Sequence, residues 1–527
     1  MQDFRQLFKR NEMWWWSVAL LLWLSGAAGE LRPLEKSYRI MMLSTLPARS
    51  HMNVFAALAE ALADRGHQVV MVTSIPSNID HPNIKEVDTG LARLTANITN
   101  SFETRNCILH YFNTLLAMMT RMARAFHREP SVKELYRTRR EYDIAIVDIF
   151  FNQMTYPLVY ELPFVFVSTG GVDSQQSAQM GNVLSPSYVN TLSRDFPRPM
   201  TLFHRVLNAG WHFLRAYGRQ YYFLPRIQEI ISEFHPNLPP LEEIERNHSL
   251  FLTNSHFSLD LALPLLPSQV EIAGIHCRPP QPLPKELSSW VSAAGEAGVV
   301  YFSLGSLARW DNLPYRYRDI FVQAFALLEQ RIIWKCEGDI PGVSDNVLLQ
   351  KWTPQQDLLG NPKVKVFISH CGRLSMQESV YHTTPILCLP IAADQLNNAQ
   401  IIETKGVGLS LVWEELTVDV VVRTIMELAG NTKCQDAARK VKFVWQDQLQ
   451  GPAERSVYWV EYIARHGGAP TLRSQAFHLS WVEFLLLDVL ALLLVTLAVI
   501  LFLLRRLLRA LKHRWWWVSA AQKVKGE

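Results

Sequence analysis

Apolar residues fall along the chain in two patterns, short continuous runs of strand length and longer amphipathic stretches, and the two alternate. Tyr38–Thr45 and Gln68–Thr73 are apolar, β-branched runs, and between them Val54–Ala63 is rich in Ala and Leu and ends before Gly66. That order predicts strand, helix and strand, a βαβ unit with a polar turn from Leu46 to His51. Further on, Tyr142–Ile149 reads YDIAIVDI, a buried parallel strand closing on Asp148, and Phe164–Ser168 reads as another. Ile79–Asn100 reads as an irregular connection, and Tyr111–Arg140 as helical with a break at Pro130. Ser185–Phe234 reads as a helical stretch with apolar and basic faces. Prolines gather from Pro264 to Pro284, which predicts an extended linker between two halves. Beyond it, strand-like runs recur at Gly298–Leu304, Arg331–Lys335, Val347–Leu349, Val364–Ile368 and Pro385–Leu389, and the chain is then mostly helical to about Gly467. Alternation of this kind places the chain in the α/β class with parallel sheets.

The two ends carry a different pattern. Arg5, Lys9 and Arg10 precede the Trp- and Leu-rich run Met13–Leu24, and the small residues Ser25 to Gly29 follow, which predicts a signal peptide over 1–29, with an uncleaved anchor as the alternative. Val489–Leu504 is apolar throughout but shorter than the roughly 20 residues a bilayer requires. Counting back to Phe484 supplies the length, so a transmembrane helix is expected over 484–504. Arg505, Arg506, Arg509, Lys512, His513 and Arg514 follow at once. The positive-inside rule therefore assigns 505–527 to the cytosol and both halves to the lumen, a single-pass type I orientation. Lys523 and Lys525 fit a Lys-x-Lys-x-x retrieval signal for residence in the endoplasmic reticulum membrane. Asn97-Ile98-Thr99 and Asn247-His248-Ser249 are N-glycosylation sequons suited to a luminal chain.

Composition narrows the picture further. At 527 residues the chain has room for about two or three domains, and its hydrophobic share of 49% excludes a disordered chain. A net charge of +4, with basic residues gathered after the last hydrophobic run, leaves no nucleic-acid footprint. The six cysteines are scattered without a Cys-x-x-Cys spacing, so neither a zinc site nor dithiol redox chemistry is expected.

Candidate chemistry concentrates between Trp352 and Gln395. There the strand Val364–Ile368 runs into Ser369, His370, Cys371 and Gly372 and then a helical stretch from about Leu374 to Tyr381. Unpaired N–H groups and the macrodipole at such a helix start favour a phosphate beside the imidazole of His370. The next strand ends in Pro390 and then Asp394-Gln395. Ligands of open α/β sheets gather at the C-terminal ends of strands, so His370, Glu378, Asp394 and Gln395 are expected to line one crevice. In the first half no Gly-x-Gly-x-x-Gly separates strand from helix, which argues against a dinucleotide and against a nicotinamide-linked reductase.

The stretch from Trp352 to Gln395 resembles the donor-binding signature of the UDP-glycosyltransferases, which runs from Trp-x-Pro-Gln through His-x-Gly and a downstream Glu to Asp-Gln. In this sequence the matching residues are Trp352, Pro354, Gln355, His370, Gly372, Ser375, Glu378, Asp394 and Gln395. The resemblance covers nearly the whole chain. It implies a GT-B fold, two Rossmann-like domains facing a cleft, with the acceptor half over 30–275 and the donor half over 276–476. It also implies that His51 is the catalytic base and Asp148 its partner. Ser303-Leu304-Gly305-Ser306 resembles the family's loop under the donor phosphates, and Trp352 the indole on which uracil stacks. Glu378 is then expected at the ribose, and Asp394 and Gln395 at the sugar hydroxyls. The reaction implied is inverting transfer from a UDP-sugar to a hydroxyl of a small lipophilic acceptor, with no cofactor and no metal. The enzyme would work at a membrane, with a homo- or hetero-oligomer open. Cys371 and Thr383 stand where the family usually has Gly, and Ala392-Ala393 replaces the common Phe-Gly. Leu374 and Ala392-Ala393 lean toward glucose over glucuronate as the sugar. The alternative is a membrane-anchored nucleotide-sugar or lipophile binding protein that has lost turnover.

The charge flank after Leu504 generates a direct expectation. Protease added to sealed microsomes should trim only the short basic tail, and immunoblots should show both large halves protected; digestion of the bulk of the chain would invert the orientation.

Overall fold

Strand pairing follows the apolar runs. The computed structural model describes residues 31, 33–95, 102, 108–191, 194–305 and 313–524. The proposed signal peptide, Asn97 and Ser306 lie outside the described residues. One 7-stranded sheet is built from β1 (Arg39–Ser44), β2 (Gln68–Thr73), β3 (Ile84–Asp88), β4 (Ile144–Asp148), β5 (Phe164–Ser168), β6 (Leu250–Thr253) and β7 (Gln269–Glu271), in the order β3-β2-β1-β4-β5-β6-β7. All of its pairings are parallel. Two strands depart from the sequence reading. β3 lies inside the stretch expected to be irregular, and β7 lies inside the proline-rich segment expected to be linker.

The period of β1 decides how this sheet is covered. Met41 and Leu43 point to one face, where α2 (Ile108–Arg128), α3 (Pro130–Thr138) and, later in the chain, α5 (Leu224–Ser232) contribute Met119, Phe126, Val132, Ile227 and Ile231. Ile40 and Met42 point to the other, against α1 (Arg49–Asp64), which buries Met52, Phe55, Leu58, Ala59 and Leu62 at helical spacing. Each large apolar side chain so buried contributes about 1.5–3 kcal/mol. α4 (Leu202–Gly218) behaves differently. Asn208 is its one fully buried residue, while Leu202, Phe203, Val206, Phe213 and Leu214 are exposed. The helical reading of Ser185–Phe234 is corrected at its start, because the described residues among 185–201 form no helix and α4 begins only at Leu202, capped by the Thr201 hydroxyl.

A second, 6-stranded parallel sheet takes the order β10-β9-β8-β11-β12-β13, from β8 (Val299–Ser303), β9 (Arg331–Lys335), β10 (Val347–Gln350), β11 (Val364–Ser369), β12 (Ile386–Cys388) and β13 (Gly408–Ser410). Its site-bearing helices are α6 (Gln355–Leu359), α7 (Arg373–His382) and α8 (Gln395–Thr404). The last helix of this region, α9 (Pro452–Arg465), returns to the first sheet and packs Val457, Val460 and Ile463 beside α1. There Glu461 is buried and accepts from Arg65 at 2.9 Å and Arg465 at 3.0 Å, with His67 Nε2 at 3.2 Å.

Residues up to Arg473 form one compact unit and those from Ser474 another. In the latter, α10 runs Leu487–Val524, and its 18-residue apolar stretch of mean hydropathy 3.0 is long and apolar enough to cross a membrane. The helix begins three residues after the expected start at 484 and continues beyond 504. Phe484 ends a separate short helix closed by a Ser480–Glu483 capping box, and α10 continues through the basic residues, since Arg and Lys are good helix formers.

Backbone geometry explains the departures from glycine. Cys371, Thr383 and Ala393 take φ of +59°, +60° and +57°, the left-handed region in which a β-carbon costs about 1–2 kcal/mol. Thr383, β-branched and at the C-cap of α7, is the most strained type. Thr383→Gly should therefore raise stability by about 1 kcal/mol, read as a higher midpoint in chemical denaturation; no gain would remove the strain argument.

Candidate functional site

Both sheets present the C-terminal ends of their strands to the same set of side chains. Parallel register puts β1 beside β4, with Leu43 opposite Val147, so the chain leaving β1 passes Asp148 at the end of β4. His51 sits in the first turn of α1 rather than in the loop before it, and its Nδ1 lies 2.5 Å from Asp148 Oδ2. Asp148 is fully buried, and its other oxygen accepts from the Phe150 N–H at 3.0 Å. A buried carboxylate selects the tautomer in which Nδ1–H donates to it, leaving Nε2 as the acceptor. Thr169, just past β5, brings its Oγ1 to 3.0 Å from Nδ1 and 3.3 Å from Nε2 of His51, and Phe150 packs edge-on to the ring. Sequence reasoning missed Thr169. It follows a strand without any motif, and its nearness to His51 arises only when β4 and β5 pair.

On the second sheet, His370 follows β11 and stands between two glycines. A β-carbon at Gly305 would lie 2.6 Å from His370 Cε1, and one at Gly372 would lie 2.5 Å from Nε2, so both positions must be bare for the imidazole to fit. Burial, then the nearby Lys335 charge, lowers the His370 pKa to about 4, so the ring is neutral near pH 7, and its Nδ1 has no hydrogen-bond partner among the described residues. Lys335, at the end of β9, donates to the Gly305 carbonyl at 3.0 Å and pairs with Glu337 at 2.8 Å. It adds a cation to the turn that no sequence motif announced.

Cys371 does not crowd this turn. Its side chain is buried, with Sγ 2.6 Å from Cys388 Sγ. Gln355, Ser375 and Glu378 converge. Gln355 donates to Glu378 at 2.6 Å and to Ser375 Oγ at 3.3 Å, while its own oxygen accepts from Tyr301 OH at 3.0 Å. His276, another residue not foreseen, brings Nε2 to 3.4 Å from Glu378. Burial works against a charge on His276, but Cys277 and Glu378 raise its pKa to about 10. Trp352 is 70% exposed, an indole with an open face. Gln395 turns its oxygen back onto the N–H groups of Ile391 and Ala392, at 2.7 and 3.0 Å, and Asp394 accepts from Asn398 at 2.7 Å.

Arg373 opens α7 and is buried. Its guanidinium pairs with Asp260 and donates from Nε to the Gly170 carbonyl at 3.2 Å, both on the first half. Elsewhere, Asn247 is exposed and its amide oxygen accepts from Arg473 at 2.6 Å, whereas Ser249 of the same sequon is buried. A cavity of about 370 Å³ beside Tyr136, Tyr160 and His235 lies toward the other, N-terminal ends of the strands.

Comparison with known proteins identifies the family and the fold. Residues 41–516 match the family model described as UDP-glucuronosyl and UDP-glucosyl transferase. UDP-glucosyltransferase 2 of Dactylopius coccus is 32% identical, covering 92% of this chain and 95% of its own. UDP-glucuronosyltransferase 2B18 of Macaca fascicularis is 28% identical over 93% of this chain and 96% of its own. Among solved structures, LpCGTa in complex with UDP superposes with a TM-score of 0.55 at 17% identity, covering 82% of this chain and all of its own, a likeness of GT-B fold.

Several buried histidines are held neutral. Burial brings His127 to about 3 and His248, His256, His370 and His382 to about 4. In the unfolded chain they titrate near 6.5. As pH falls below that value the unfolded state takes up protons that the folded state refuses, so stability present above about 6.5 is lost toward pH 4. Melting temperatures should fall steadily below about 6.5 and level off only below about 3, where His127 also titrates, as far as these groups decide; a flat profile would contradict their burial as neutral rings.

Proposed function

Because this chain belongs to the UDP-glucuronosyl and UDP-glucosyl transferase family and is a UDP-glycosyltransferase, we propose that it transfers glucose from UDP-glucose, with inversion, to a hydroxyl of a small lipophilic acceptor. The observation that carries the mechanism is the 2.5 Å contact between His51 Nδ1 and the fully buried Asp148 carboxylate. With Nδ1–H donated to Asp148, Nε2 takes the proton of the acceptor hydroxyl while its oxygen attacks the anomeric carbon. A carbon–oxygen bond forms there as the bond to the β-phosphate breaks, and UDP leaves with the electron pair. Asp148 then stabilises the imidazolium so formed. At the leaving group, neutral His370 supplies one N–H, and the N-terminal end of α7 and Lys335 supply positive potential. A carboxylate has about four acceptor sites. Gln355 and His276 occupy one on each oxygen of Glu378, which leaves room for the two ribose hydroxyls. Trp352 offers its open face to the uracil.

Two features support the remaining specificity. The Arg373 guanidinium is already engaged by Asp260 and the Gly170 carbonyl, so the cation nearest in sequence to the donor turn is not free for a sugar carboxylate. The exposed apolar residues of α4 favour a lipophilic acceptor and a membrane surface. This helix is tied to the loop after β5 by Arg215, which pairs with Asp173 at 2.9 Å. On this reading the apolar span of α10 anchors the enzyme in the endoplasmic reticulum membrane with both sheets in the lumen.

His51→Ala should lower kcat by about a hundredfold to ten-thousandfold while UDP still binds in calorimetry; wild-type turnover would remove His51 from the chemistry. UDP-glucose should outcompete UDP-glucuronate for one phenolic acceptor, scored by the mass added to the product. A clear preference for UDP-glucuronate would sink the donor assignment and leave the transferase reading intact.

A further inference from the structure

We propose that Arg373 is a positioning residue, a strap across the cleft that fixes the donor-binding turn against the loop carrying Thr169, and so sets the distance between the anomeric carbon and the general base. The inference rests on the roles given above to His51 and to the His370–Gly372 turn. Arg373 directly follows Gly372, the last residue of that turn, and it is the first residue of α7. A cation at a helix N-terminus opposes the macrodipole, and burying it adds a desolvation cost, so its own helix gains nothing from it. What it meets lies on the other half. The guanidinium pairs with Asp260, and Nε donates to the carbonyl of Gly170 at 3.2 Å. Gly170 follows Thr169, whose hydroxyl contacts both ring nitrogens of His51.

From donor turn to general base the path is therefore Gly372, Arg373, Gly170, Thr169 and His51, with one hydrogen bond across the cleft and one at the imidazole. Space is kept for it. A β-carbon at Gly171 would lie 2.7 Å from Arg373 Nη2. The same face of α7 repeats the arrangement a turn later, where Gln377 donates to the Asn254 carbonyl at 3.2 Å and Asn254 donates to the Thr169 carbonyl at 2.9 Å. Asp394, beside the sugar hydroxyls in this reading, also acts electrostatically on Arg373.

The test uses the full-length chain in microsomes or detergent, with Arg373→Lys and Asp260→Asn as variants. Lysine keeps the charge and the pairing with Asp260 but cannot hold the carboxylate and the Gly170 carbonyl at once in a planar fork. Displacement of reacting groups by an ångström costs rate on the order of a hundredfold. Both variants should lose about tenfold or more in kcat, with KM for UDP-glucose and the Kd for UDP within about threefold of wild type, and with the acidic limb of the pH–rate profile unmoved because the His51–Asp148 pair is untouched. Should Arg373→Lys not fold, as judged by its melting curve, Asp260→Asn carries the same comparison with a near-isosteric change. A kcat within twofold of wild type in a folded variant overturns the proposal. So does a loss confined to UDP-glucuronate, which would make Arg373 a sugar-recognition residue. His51→Ala assayed in parallel separates this inference from its premise, since an active His51→Ala defeats the base assignment, whereas an inactive one beside a fully active Arg373→Lys defeats the strap alone.

Discussion

No water reaches the carboxylate of Asp148, so its charge has to be met from inside the protein, by the His51 imidazole and the Phe150 N–H. Leaving such a charge unmet costs several kcal/mol, more than most single contacts contribute. Much of the first half can be read as the means of delivering those two partners. β1 and β4 pair in parallel with Leu43 opposite Val147. A slip of one residue would turn Met41 and Leu43 to the wrong face and take α1, with His51, away from the strand end. The packing of α1 on Ile40 and Met42 resists that slip, so apolar burial fixes the register and the register fixes the dyad.

The second half uses the same amino acid for the opposite purpose. His51 is oriented by a buried carboxylate, whereas burial and then the nearby Lys335 charge lower the pKa of His370. Two imidazoles at the ends of two parallel sheets thus stand in different surroundings, one beside a carboxylate and one kept uncharged. Bare positions at Gly305 and Gly372 are the condition for the second, and left-handed backbone at Cys371 and Ala393 lets the surrounding turns close without glycine.

Much of this was legible in the residues. The long parallel strands, the breaks at Gly66 and Pro130, and the convergence of Gln355, Ser375 and Glu378 followed from apolar runs and from a dense motif. What escaped did so for physical reasons. β3, IKEVD, is a half-exposed edge strand without a continuous apolar run, and β7 has three residues among prolines. Thr169, Lys335 and His276 earn their places through contacts between residues far apart in the chain, which no local pattern encodes. A charge boundary at Arg505 marks where a membrane would end and says nothing about where the helix ends, so α10 runs on to Val524.

The return of α9 to the first sheet has a mechanical consequence. The chain passes between the sheets once after β7 and again before Pro452, and the first passage is pinned to α6 by Arg278, which grips Asp357 at 2.6 and 3.0 Å. A body joined to another at one point swivels freely, but one joined at two points retains mainly rotation about the line through both. Two chain passages, one of them pinned by an ion pair, restrain the two sheets relative to each other more than a single linker would.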